Sequence, residues 1–173
     1  MPIYNVDNPA AEDGWNVVVG PPGAPGARPK AVLNPAPNSI TVAMGAQANS
    51  AMGAGAGAAQ GFDTLYLTNC SAFCMLWRPA RHANFTVGSM IHMNGGPDPG
   101  AVGWAAMMAG MAAGGDYFGI LANSQPTVLS GGFVAAALAA TPIPAANMWV
   151  YDANIDAINF AIDRSGNAGQ FYE

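Results

Sequence analysis

Residues 64–79 read Thr64-Leu-Tyr-Leu-Thr-Asn-Cys70-Ser-Ala-Phe-Cys74-Met-Leu-Trp-Arg-Pro79, TLYLTNCSAFCMLWRP, and residues 85–93 read FTVGSMIHM. Three apolar runs, Phe62 to Thr68, Ser71 to Trp77 and Phe85 to Met93, are short, rich in aromatic and β-branched residues, and separated by turn chemistry. Thr68-Asn69 breaks the first from the second, and Pro79-Ala-Arg-His-Ala-Asn84 lies between the second and third. Strands folded back on one another follow, and the fold class depends on this hairpin.

The hairpin also gathers the reactive residues. Both cysteines of the chain, Cys70 and Cys74, lie in it, and both histidines follow at His82 and His92. A turn centred near Arg81 sets Cys70 directly opposite His92 on one face of the sheet, with Cα atoms about 4.5–5.5 Å apart. His82 falls in the turn, roughly 35 Å from Cys70 at about 3.3 Å per residue, and is read as a solvated turn residue. Cys70 and Cys74 on one extended strand are separated by about 13 Å, beyond the roughly 7 Å that a disulfide spans, so both are expected as free thiols.

Outward from the hairpin, the first 61 residues alternate short strand candidates (16–19, 31–33, 39–44) with Pro- and Gly-rich loops. The Ala/Gly-rich stretch 47–61, QANSAMGAGAGAAQG, reads as a surface connection. On the other side, Asn94-Gly-Gly-Pro-Asp-Pro-Gly100 stops the third strand. Asp98 followed by Pro99 is a helix N-cap and first-turn signal, predicting a helix from about Pro99 to Ala113 that packs on the sheet. Further strands are expected at 117–122, 148–151, 157–163 and 170–172, with residues 133–140 apolar but of open type. The expected fold is α+β: a two-layer antiparallel or mixed β-sheet sandwich with one or two helices packed on it. One domain, 1–173, is expected, with 1–61 as strands and loops, 62–113 as the motif-bearing core and 114–173 as further strands.

Composition narrows the function classes. The chain has 173 residues, 51% hydrophobic and only 9% charged, with a net charge of −5. Its five basic residues, among them Arg78 and Arg81, are scattered, so no basic face exists for nucleic acid. The longest apolar windows fall short of the ~20 residues of a membrane span, and no insertion is expected. The N-terminal stretch lacks the basic and apolar regions of a secretory signal. No histidine-rich or acidic cluster offers a metal site, and no cofactor is expected.

A thiol of ordinary pKa is a weak nucleophile at neutral pH until an imidazole takes its proton, and His92 is the candidate partner of Cys70. Asn69 and Ser71 flank the thiol, and with the backbone amides of the strand start they are candidates for stabilising an oxyanion. The same residues read structurally are a core thiol and a core histidine, and Cys74 is a packing thiol.

The pattern T-L-x-L-x-x-C-x-x-x-C-x-x-x-x-P, followed by V-G-x-M-x-H, resembles the active-site segment of the chemoreceptor glutamine deamidase CheD. A similar core occurs in deamidase toxins of the cytotoxic necrotizing factor type. The matching positions are Thr64, Cys70, Cys74, Pro79 and Gly88 to His92. The resemblance implies a cysteine-dependent protein-glutamine deamidase, or a transglutaminase where an amine replaces water. In it Cys70 attacks the carboxamide, His92 handles the proton and Thr64 orients the imidazole. The implied partner is a target protein bearing the substrate glutamine. The implied setting is the bacterial cytoplasm, or export as an effector toxin by a signal-independent route. Two alternatives stand beside it: a papain-type cysteine peptidase or amidase, since Asn-Cys-Ser before apolar residues resembles a nucleophile helix, and a non-catalytic secreted β-rich binding domain.

Overall fold

The computed structural model describes residues 3–5, 36–124, 129–152, 158–166 and 168–172. Among the described residues ten strands form two sheets: β1 (Ile3–Asn5), β2 (Ile40–Thr41), β3 (Gln47–Ala51), β4 (Gly61–Thr64), β5 (Ser71–Pro79), β6 (Val87–Met93), β7 (Gly115–Asn123), β8 (Met148–Asp152), β9 (Ile158–Asp163) and β10 (Ala168–Tyr172). A six-stranded sheet has the order β1-β8-β7-β5-β6-β3, and a four-stranded sheet the order β10-β9-β4-β2. Both are mixed: β1/β8, β7/β8 and β2/β4 are parallel pairs, the others antiparallel. Two α-helices, α1 (Trp104–Met107) and α2 (Leu129–Ala140), complete the α+β sandwich expected from the sequence.

β5 explains the layering. Its first six residues are all buried, as a central strand covered on both faces requires. Ala72, Cys74 and Leu76 join the core against Phe62, Leu67, Phe160 and Ile162. Phe73 and Met75 join the opposite core with Met107, Phe133, Val134 and Ala137. The neighbouring strand β6 divides the same way, Met90 toward the first core and Ile91 and Met93 toward the second. Gly88 lies across from Leu76, where a Cβ would fall 2.6 Å from Phe62 Cε2 and 2.8 Å from Met52 Sδ. Its missing side chain lets the two sheets close.

The β5/β6 hairpin forms with a different register from the one expected. Ala72, not Cys70, pairs with His92, and Ser71 pairs with Met93. The cause is a wider connection. Arg81 adopts φ 70°, His82 N donates to Pro79 O at 3.0 Å, and Thr86 N donates to Trp77 O at 2.9 Å. Arg78 pins this end: its Nε lies 3.0 Å from Asp116 Oδ2 on β7, its Nη1 donates to Ala83 O, and its guanidinium covers the Phe85 and Phe118 rings. Because the slip is two residues, every side chain keeps its face.

Other elements differ locally. The helix expected over Pro99 to Ala113 splits into a 3-10 turn, Pro99–Ala101, and the single turn α1. Asp98 does cap the first, its Oδ1 accepting from Gly100 N at 2.8 Å. Gln47 separates the two pieces by bonding both the amide and the carbonyl of Gly103 at 3.1 Å. The stretch 47–61 is not wholly a surface connection, since its first five residues are β3, paired to β6. Residues 133–140 lie within α2. The strand candidates at 16–19 and 31–33 lie outside the described residues. Among the described residues no helix is long and apolar enough to cross a membrane.

Candidate functional site

The six-residue step from Thr64 to Cys70 carries the chain from one sheet to the other. Thr64 ends β4 of the four-stranded sheet, and Cys70 immediately precedes β5 of the six-stranded one. Covering that gap in so few residues puts two non-glycine residues in the left-handed region, Tyr66 at φ 56° and Asn69 at φ 54°. Such conformations persist where neighbours over-determine them. Here Tyr66 N donates to the buried Asn159 Oδ1 at 2.9 Å, Leu67 is fully buried, and Cys70 N donates to Leu67 O at 3.2 Å.

His92 sits on the inter-sheet face of β6 and is fixed in backbone and ring. Its N donates to Ala46 O at 3.0 Å, and its O accepts from Gly45 N at 2.9 Å. Across the gap, Thr64 Oγ1 lies 2.8 Å from His92 Nδ1 and 2.6 Å from Val42 O. A hydroxyl has one proton to give, and a carbonyl can only accept. Thr64 therefore donates to Val42 O and accepts from His92 Nδ1–H. This fixes the tautomer: Nε2 carries the lone pair. That atom is buried and has no hydrogen-bond partner among the described residues. Burial lowers the His92 pKa, so the ring is neutral at pH 7.

Cys70 is on the same face as His92. Carried one pair further, the observed register sets Cys70 against Asn94, and Sγ lies 3.8 Å from Asn94 Oδ1. Cys70 and His92 thus become diagonal neighbours, a spacing of roughly 7–8 Å or less between Cβ atoms that long side chains bridge. The hydrogen bond expected between them is not made. Both are buried, at 3% and 2% exposure, while Thr68, Asn69, Asn94 and Gly95, near them in the chain, are exposed. The Cys70 carbonyl is held from the end of β7 by Ser124, through N at 3.2 Å and Oγ at 3.0 Å.

The structure bonds Thr64 to His92 and sets Cys70 on the face that His92 shares; of the two side chains expected at an oxyanion, Asn69 stays beside the thiol and Ser71 does not. The Cys70 amide is committed to Leu67 O. Ser71, by strand alternation, points its side chain to the helix-covered face, and its buried hydroxyl has no hydrogen-bond partner among the described residues. Asn69 stays beside the thiol on an exposed turn. Cys74 is sealed in the inter-sheet core, where burial pushes its thiol well above the ordinary range. His82 is exposed at the hairpin turn. Both thiols are free. Cys70 immediately precedes a strand, so this segment does not form the nucleophile helix of the papain-type alternative.

Val42, Asn94, Ser124 and Asn159 were not singled out from the sequence. Only Asn94 carried a signal, since it stands two residues beyond His92 and so on the same face. Among the described residues no group of three His, Cys, Asp or Glu side chains could hold a metal ion. No protein-family model matches the chain, and no curated protein matches it.

Proposed function

We infer that the protein is a cysteine-dependent hydrolase of side-chain amides, acting on a glutamine of a target protein. The observation that carries this reading is the bond from Thr64 to His92 Nδ1, which leaves a neutral, unpartnered Nε2 on the face that bears the Cys70 thiol. A general base needs a free lone pair, a fixed ring and a proton donor within reach after a rotamer change, and unliganded sites commonly tighten when substrate enters.

In this reading Nε2 takes the Cys70 proton as sulfur attacks the carboxamide carbon. The carbonyl electron pair moves to oxygen and returns as the C–N bond breaks, and Nε2–H gives its proton to the departing ammonia. Water, deprotonated by Nε2, then attacks the thioester, and the C–S bond breaks to restore the thiol. The net change is glutamine plus water to glutamate plus ammonia. A primary amine in place of water gives transglutamination.

The test is peptide mass spectrometry of bacterial and host-cell lysates treated with the wild type or Cys70→Ala. Conversion of particular glutamines to glutamate by the wild type alone supports the reading, and identical peptide maps sink it. The burial of Cys70 and His92 favours one second reading, in which they are core residues of a non-catalytic β domain. Thiol labelling separates the two.

A further inference from the structure

The oxyanion formed in that reaction needs a donor beside the sulfur; Asn69 precedes the thiol on an exposed turn, and the two other candidate groups nearest in sequence do not offer one. The Cys70 amide is spent on Leu67 O, and the Ser71 hydroxyl belongs to the other face of the sheet. Asn94 is different. Its carboxamide touches Cys70 Sγ at 3.8 Å, it follows His92 on the same face, and it is exposed where Cys70 is buried. Among the described residues its amide nitrogen has no acceptor, and the side chain's hydrogen bond is the one its oxygen accepts from the thiol.

We propose that Asn94 is a catalytic residue whose side-chain amide N–H stabilises the oxyanion formed on the substrate carboxamide. This rests on the amidase reading above. In the free protein the amide oxygen accepts the Cys70 S–H. When the thiol gives its proton to His92, that bond has no donor left. A half-turn of the amide then presents Nδ2–H to the oxygen of the carbonyl whose carbon sulfur attacks, with Asn94 directly after β6 and across from Cys70. Gly95 and Gly96 follow with φ 83° and 104°, so the chain turns away directly after Asn94 and leaves that side open to a substrate backbone.

The experiment compares wild type, Asn94→Ala, the isosteric Asn94→Asp and Cys70→Ala. Ammonia release from benzyloxycarbonyl-glutaminyl-glycine is measured beside the pH dependence of Cys70 alkylation by iodoacetamide, which forms no oxyanion. The expected result is a fall in kcat of about 10²–10³-fold for both Asn94 variants, the scale for losing one oxyanion donor, with KM little changed. Alkylation of Asn94→Ala should follow the wild-type profile. Ammonia release by Asn94→Ala within a few-fold of wild type, with Cys70→Ala inactive, overturns the Asn94 assignment and leaves the amidase reading standing. Loss of alkylation in parallel with activity also overturns it, because Asn94 would then act on the thiol. Wild type no faster than Cys70→Ala defeats the amidase reading, and this inference with it.

Discussion

Thr64 and His92 belong to different sheets, yet Oγ1 and Nδ1 lie 2.8 Å apart and both side chains are buried. A polar bond at that depth spans the two layers of the sandwich and selects one imidazole tautomer. Removing the hydroxyl leaves Val42 O and His92 Nδ1–H without partners. Thr64→Val is expected to cost about 1–3 kcal/mol in urea unfolding and to release the ring to both tautomers, visible in its nitrogen NMR shifts. Thr64→Ser, which keeps the oxygen, should restore the single tautomer and most of the activity.

The burial of His92 makes stability depend on pH. Its folded pKa is lowered while the unfolded value stays near 6.5, so between the two the unfolded chain binds more protons. Stability is therefore complete above about pH 6.5 and falls as pH drops toward the folded pKa. Urea midpoints measured downward from about pH 8 should show this loss in the wild type, and His92→Gln should remove most of it. A midpoint that rises on acidification would contradict the neutral buried ring.

Gly88 is a packing requirement of the sandwich. A methyl group there meets Phe62 Cε2, Met52 Sδ and Leu76 Cδ2 at 2.6, 2.8 and 3.1 Å. Gly88→Ala is expected to destabilise by about 1–3 kcal/mol, the usual cost of overpacking, and to lower the thermal midpoint. Its effect on Cys70 alkylation should be small, because the contact lies two strand pairs beyond Cys74 from the thiol.

The sheet-forming segments were legible because alternation and turn chemistry are local. β5, β6, β7, β8 and β9 lie where short apolar runs between breakers put them, and Asp98 caps its turn as its side chain dictates. What was not legible depends on contacts between distant segments. Gln47 breaks the helix at Gly103 from 56 residues away, and the hairpin register comes with a wider turn whose end Arg78 ties to Asp116 on a third strand. The candidate site divides along the same line. Cys70 and His92 are brought to one face, which Thr64 meets from the other sheet, because a two-residue slip preserves faces, whereas Asn94 as the neighbour of Cys70 required the register itself.

The central claim is that Cys70 is a nucleophile served by His92, and its most direct test is alkylation by iodoacetamide near pH 6, read peptide by peptide in the mass spectrometer. Cys70 should be modified, and His92→Gln should slow the modification sharply. Cys74, whose thiol burial holds protonated, stays untouched in the folded protein. Equal resistance of Cys70 and Cys74 until the chain unfolds would contradict the account, and both would then be core thiols of a non-catalytic β domain.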